Sequence, residues 1–450
     1  MKLKQLENKK ILILGFGKEG QDTYLALRKL FPIKNLGIAD GLKIEGLKSK
    51  IKNLIKRDKH LELHFGKNYL QKLKKYEVII KSPGIFSQTI NRYLSKKQKI
   101  TSQTEIFLEN CPAKIIGITG TKGKGTTASL IYQILKKSGL NAHLIGNIGQ
   151  PVFQFLLQSK KEDIFIYELS SYQLEKLKKS PQIAVFLDIY PAHLDHHRTF
   201  KKYQKAKENI TIHQSKNDFF IYNSSQKEIR DISQKTKAKK ITFNPKKLNH
   251  LKKIISLKQI PLKGEFNLLN ILAAVLVCEI LKIPRIKIKE GVKSFKSLPC
   301  RLEPLGQYQG INFYNDSLAT VPQSVEAALT ALGEKVETLI LGGMKVKDID
   351  FSSLAEKILK EKIKTLVLFP DTGEEIWRNI EKRKPAQRKF NILFTPSMKK
   401  AVQYAYQKTS KEKICLLSPG APSQNIFKNY QERGDLFEKF VNMYGSKKSS

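Results

Sequence analysis

The chain has 450 residues, 40% of them hydrophobic, enough for two to four domains with ample cores. No uninterrupted apolar run is long enough to cross a bilayer, and the four scattered cysteines show no metal-ligand spacing, which argues against membrane insertion and a disulfide framework. The net charge of +42 is mostly lysine spread along the whole chain, without an arginine-rich or aromatic-interleaved patch, so no specific nucleic-acid partner is expected.

The first residues lead straight into a polar segment with no signal-peptide core, so a cytoplasmic protein with reduced cysteines is expected. Residues 10–14 (Lys-Ile-Leu-Ile-Leu) read as a buried strand. They run into Gly15-Phe16-Gly17-Lys18-Glu19-Gly20 and then a helical pattern through Leu30, with Asp40 closing the next apolar run. The spacing is that of a dinucleotide turn and its ribose-binding acid, although such a turn can cradle any diphosphate. Residues 78–85 form a further strand that ends in the tight turn Ser82-Pro83-Gly84. These signals predict a doubly wound, Rossmann-like nucleotide-binding domain over residues 1–100.

A second domain is predicted over residues 101–298. The apolar run 113–116 reads as a strand, Gly117 to Thr127 as a glycine-rich turn, and residues 128–137 as a helix. Strand, turn and helix are the context of a phosphate-binding loop, here Gly120, Thr121, Lys122, Gly123, Lys124, Gly125, Thr126 and Thr127. Lys124 is the candidate phosphate lysine. Gly125 stands where Ser or Thr usually follows, and Thr126 comes next. Asn147 lies between glycines after the strand signal near residue 144, and Glu168 ends the strand 164–167, where a Mg2+ ligand belongs.

The strand at 183–189 leads to Tyr190-Pro191-Ala192-His193-Leu194-Asp195-His196-His197, which holds three of the eight histidines. The composition allows a zinc site there, but no cysteine or His–Glu helix motif accompanies it. Lys207 lies on a predicted helix. Asn267 and Asn270 share one face of another, suited to capping backbone or reading a base.

A third, Rossmann-like domain is predicted over residues 299–450. Its strands lie near 311–314, 338–341, 365–369 and 414–417, and its tail from Ser446 is expected to be disordered. Asn315-Asp316-Ser317 follows the first of these strands and Ser418-Pro419 the last.

Together these motifs resemble the Mur ligases, the ATP-dependent amide-forming enzymes of peptidoglycan precursor synthesis. The resemblance covers nearly the whole chain in the family's order. Glu168 to Glu175 and Ser418 to Gly434 are most specific to the glutamate-adding branch. It implies an α/β fold of three domains: a Rossmann-like one for a uridine nucleotide, a central P-loop ATPase-like one with a mainly parallel sheet, and a Rossmann-like one for the amino acid. It also implies the substrates UDP-N-acetylmuramoyl-L-alanine and D-glutamate, ATP with Mg2+ at two sites, and a monomer.

By the resemblance, Gly15, Phe16, Gly17, Lys18, Asp40, Ser82, Pro83 and Gly84 pass from a dinucleotide to the uridine nucleotide. Asn147 contacts the acceptor. Lys124 serves the phosphates. Thr126, Glu168, His193 and a carbamylated Lys207 bind metal. Asn267, Asn270, Arg301 and Asp316 lie on the ATP side. Thr320, Lys347, Ser423 and Tyr430 hold D-glutamate, with Lys345 an alternative to Lys347. The chain departs from the family pattern at Lys122, Gly125, Asp188, Ala192, Phe266 and Leu318. Lys122 is expected to restore part of the missing positive charge. Competing readings are a folylpolyglutamate-synthase-like or sister ligase, an ATP-binding basic protein without catalysis, and a dehydrogenase. The N-terminal domain opposes a folylpolyglutamate-synthase-like ligase, the Ser423 and Tyr430 segment a sister ligase, the carboxylate and amide pattern the protein without catalysis, and Lys124 the dehydrogenase.

Overall fold

The computed structural model describes residues 1–346 and 349–446. It is an α/β protein with three sheets. The first contains β1 (Ile11–Leu14), β2 (Leu36–Asp40), β3 (Leu61–Phe65), β4 (Val78–Lys81) and β5 (Lys99–Thr101), in the order β3-β2-β1-β4-β5. All of its pairings are parallel. The continuous apolar run of β1 fits this position, because a central parallel strand is covered on both faces, and all four of its residues are buried.

The second sheet contains β6 (Lys114–Thr119), β7 (Ala142–Gly146), β8 (Ile164–Glu168), β9 (Ile183–Phe186), β10 (Phe219–Asn223) and β11 (Lys239–Phe243). Its order is β11-β10-β9-β6-β8-β7, again parallel throughout. The third contains β12 (Glu303–Tyr308), β13 (Ile311–Asn315), β14 (Val336–Gly343), β15 (Thr365–Asp371), β16 (Asn391–Phe394) and β17 (Ile414–Leu417), in the order β12-β13-β17-β14-β15-β16. Only β12 runs antiparallel to its neighbour there.

The chain divides into two compact units. Unit 1 holds residues 1–257 and 269–293, and unit 2 holds residues 258–268 and 294–450. Helix Glu265–Ile280 therefore starts in unit 2 and finishes in unit 1. Within unit 1 the first two sheets share one hydrophobic cluster, which includes Ile13, Phe16, Phe107, Phe153, Phe165 and Phe186.

Polar ties cross the same seam. Gln103 Nε2 and Phe153 N donate to Asp22 at 2.7 and 2.9 Å, and Gln173 Nε2 donates to Glu19 Oε1 at 2.9 Å. Burial raises the Glu19 carboxyl to about 7. No helix among the described residues is long and apolar enough to cross a membrane. All four cysteines are free. The tail beyond Ser446 lies outside the described residues.

Candidate active site

β6 lies between β9 and β8, so the loop that leaves its C-terminal end opens where doubly wound sheets bind ligands. Asp188, just past β9, anchors that loop. Its half-buried carboxylate accepts from Thr121 N at 2.6 Å and Lys122 N at 2.8 Å. Burial raises its pKa, against the pull of those amides and of Lys124. Gly123 has φ +76, and a Cβ on it would stand 2.2 Å from Asn270 Oδ1. Backbone approach that close, in the left-handed region, requires glycine. Helix Lys124–Lys137 starts directly after it. Lys124 Nζ folds back over the loop, donating to the carbonyls of Gly120 at 3.0 Å and Thr121 at 3.2 Å. Thr126 and Thr127 are buried in the first turn, and Lys122 is exposed.

Lys207, on helix Phe200–Glu208, reaches the same loop from below. Its side chain is buried, and Nζ donates to Thr119 Oγ1 at 3.0 Å and Gly120 O at 2.9 Å. Burial, reinforced by nearby Lys124, pushes its pKa well below the usual lysine range. Glu168 ends β8, beside β6, and is 5% exposed. Its Oε2 has no hydrogen-bond partner. An unpaired buried carboxylate oxygen carries a desolvation cost that a cation would relieve. Glu168 and the Thr126 hydroxyl are hard oxygen donors, the type Mg2+ takes. Amide-lined loop, lysine and carboxylate therefore fit a nucleotide polyphosphate with its metal.

The three neighbouring histidines part company. His193 is exposed, sits at φ +54, and has Nδ1 3.0 Å from the Tyr172 hydroxyl. His196 and His197 are buried on the following short helix. Burial and the adjacent His196 lower His197 to about 4, and Ser171 Oγ holds its Nε2 at 3.0 Å. Tyr172 belongs to the helical turn Ser171–Leu174, which is fixed by a capping box of Ser170 and Gln173.

At the N-terminal turn the Asp40 carboxylate accepts from Phe16 N at 2.5 Å and Leu42 N at 2.8 Å. Ser82 Oγ donates to Gly15 O at 2.9 Å, so Asp40 and Ser82 meet at this turn. Gly20 lets the helix approach, since a Cβ there would lie 2.0 Å from Gly15 O. Gly17 and Lys18 are exposed, Pro83 is half-buried and Gly84 is exposed. The Phe16 ring is core, packed edge-on against Tyr24 and Phe65, so only its backbone belongs to the turn. Asn147 is exposed just past β7.

In unit 2, Asp316 accepts from Leu302 N at 3.0 Å and Ser418 Oγ at 2.9 Å, joining the loops after β13 and β17. Arg301, Thr320 and Tyr430 are half-buried. Ser423 is buried, and its Oγ lacks a hydrogen-bond partner. Asn267 Nδ2 donates to Lys263 O at 2.7 Å. Lys347 lies outside the described residues, while Lys345 pairs with Glu375 at 3.7 Å.

Sequence reasoning missed four residues. Thr119 and Tyr203 flank the Lys207 amine, the latter with its ring centroid 5.1 Å from Nζ. Tyr172 packs against all three histidines. Arg433 is fully buried and donates to Ser317 and to Ala421 O, yet its Nη1 has no partner. Its place within the family-specific segment Ser418 to Gly434 was the signal that could have found it.

Residues 118–278 match the Mur ligase middle domain, and residues 300–421 match the Mur ligase glutamate ligase domain. A UDP-N-acetylmuramoylalanine–D-glutamate ligase of Acetivibrio thermocellus is 32% identical over 98% of this chain and 97% of its own. A Clostridium botulinum protein of the same name is 35% identical over 85% of this chain and 86% of its own. Among solved structures, the UDP-N-acetylmuramate–alanine ligase of Thermotoga maritima aligns with a TM-score of 0.58 at 15% identity, covering 98% of this chain and 100% of that one. The MurF ligase from Thermotoga maritima in complex with ADP aligns with a TM-score of 0.57 at 16% identity, over 82% and 90%. These two likenesses concern the fold. With sequence relatives at this identity over nearly its whole length, the chain belongs to the Mur ligase family, among members named UDP-N-acetylmuramoylalanine–D-glutamate ligase.

Proposed function

We infer that the protein is an ATP-dependent ligase that joins the amine of D-glutamate to the carboxyl group of UDP-N-acetylmuramoyl-L-alanine, in peptidoglycan precursor synthesis. The observation that carries this reading is the Lys124, Glu168 and Lys207 constellation around one glycine loop, in a chain that matches ligases of that name nearly end to end.

A carboxylate is a poor acyl donor, and ATP with Mg2+, when bound, supplies the phosphoryl group that activates it. The protein's task is then electrostatic, because anions must be brought together. The loop amides and Lys124 would hold the polyphosphate, with Lys122 adding charge at the rim. Glu168, Thr126 and His193 would hold metal at two positions. Lys207 is read as the lysine that takes up CO2, forming an N–C bond and releasing one proton to give a carbamate. That addition needs the neutral amine, which burial favours. The Gly15 to Lys18 turn with Asp40 and Ser82 to Gly84 would take the uridine nucleotide, Asn147 the acceptor, and Asn267, Asn270, Arg301 and Asp316 the ATP side. Thr320, Ser423, Tyr430 and Lys347 or Lys345 would take D-glutamate. On this reading the work divides over domains at 1–100, 101–298 and 299–450.

The test is phosphate release from ATP and Mg2+ with both substrates, then with each omitted. Release that needs both, with a product heavier by one glutamate residue, is the expected result. Release with a different amino acid would refute the glutamate assignment, and no release with any pair would refute the ligase reading.

A further inference from the structure

We propose that His196, His197 and Glu175 form a binding site for one borderline divalent cation of the Zn2+ class. One donor atom from each lies within 4.8 Å of the others. Ligands of a tetrahedral ion at about 2.0–2.1 Å sit about 3.4 Å apart, so side-chain rotations of about an ångström would close the set. The sequence could not display this cluster, because Glu175 comes from the end of one helical turn and the histidines from another.

His196 points independently to a ligand. Its side chain is 3% exposed, and neither ring nitrogen has a hydrogen-bond partner. A neutral imidazole carries one donor and one acceptor, so both functions are buried unsatisfied. Its Nε2 lies 3.6 Å from Glu175 Oε2, longer than a hydrogen bond and a spacing that an inserted ion could bridge. The Phe86 and Tyr172 rings pack around it, with centroids at 4.6 and 4.5 Å, so the ion would sit against an apolar wall. Ser171 holds His197 in place, as a supporting residue orients a metal-bound histidine.

Beside the cluster a cavity of about 410 Å³ is lined by Glu175, Asp195 and His196, together with Arg92 and Arg198. It offers an open coordination position for water or, given the two arginines, for an anionic ligand. Two imidazoles and one carboxylate suit Zn2+, Co2+ or Ni2+, whereas Mg2+ prefers all-oxygen sites.

The test is a Co2+ titration of the metal-free full chain with excess Mg2+ present to occupy oxygen-rich positions. The expected result is the visible absorption of low-coordinate Co2+ at one equivalent, abolished by an equivalent of Zn2+. His196→Asn and Glu175→Gln should each weaken binding by more than the roughly 10–100-fold that loss of an outer-shell partner costs. His193→Asn should leave the band in place. Glu175→Gln is isosteric at a partly exposed position, so it decides the matter even where His196→Asn does not fold. Absence of the band, its survival in Glu175→Gln, or its loss in His193→Asn would overturn the proposal.

Discussion

Glu19→Gln should stabilise unit 1 by an amount that grows as the pH rises above 4.5 and is complete above about 7. Glu19 joins the N-terminal sheet's helix Lys18–Leu30 to the Ser171–Leu174 turn through Gln173. Burial raises its carboxyl from 4.5 to about 7, with neighbouring Asp22 adding to the effect and the Gln173 hydrogen bond opposing it. A raised carboxyl pKa means that the folded state binds the proton more tightly than the unfolded one. The stability contributed by protonated Glu19 is complete below pH 4.5 and is lost as the pH rises through 7. At 1.36 kcal/mol per unit the whole shift corresponds to about 3 kcal/mol, and the residue's remaining exposure reduces this to about 1–2 kcal/mol. Glutamine keeps an oxygen for Gln173 and cannot ionise. The variant should match wild type near pH 4.5 and melt about 2–6 °C higher at pH 8.5. Calorimetry across that range measures the difference. Fluorescence of the single tryptophan, Trp377 in unit 2, should not move. A difference independent of pH, or a variant less stable than wild type at pH 8.5, would refute the reasoning.

Lys207→Arg keeps a long nitrogen-bearing side chain but cannot form the carbamate. Turnover in the phosphate-release assay should fall by about 10²–10³-fold or more, and an active variant would remove Lys207 from the metal site. Gly123→Ala forces a Cβ against Asn270 at a positive φ, so it should raise the KM for ATP and lower Tm, both measurable in one preparation. Asp188→Ala removes the carboxylate that Thr121 N and Lys122 N share, while Thr121 N keeps the Asp188 carbonyl at 3.1 Å, and should cost about 1 kcal/mol in a denaturant titration. Asp188→Asn keeps that acceptor and should stay within a few-fold of wild-type activity.

The parallel sheets were legible because their strands are short apolar runs between turn signals, as in β1, β6 and β17. The phosphate loop was legible because glycine, lysine and the flanking elements are local in the chain. Burial was not. By spacing alone Lys207 is one lysine among dozens; the family resemblance singles it out, and the fold adds that its amine is buried under Gly120. The histidine triplet looked like one unit, yet a left-handed residue at His193 turns it outward while its neighbours go inward. Asp40 looked like a ribose ligand, and the fold shows it also organising the Gly15 turn through Phe16 N. Contacts between distant segments, such as Glu19 with Gln173, leave no periodicity to read.

The helix that passes from unit 2 into unit 1 also bears on how the protein is made. Residues 269–293 carry Ile271, Leu272, Ala273, Ala274 and Val275, all essentially inaccessible to solvent, into the interior of unit 1. Residues 258–268, synthesised just before them, belong to unit 2. A nascent chain therefore cannot finish its first unit before it has laid down the opening segment of its second. A gene cut after Leu257 removes part of unit 1's interior, and one that starts at Ser294 leaves unit 2 without its first segment. Unit 1 therefore completes its interior only after residues 269–293 have been made, later in the chain than the segment 258–268 that it gives to unit 2.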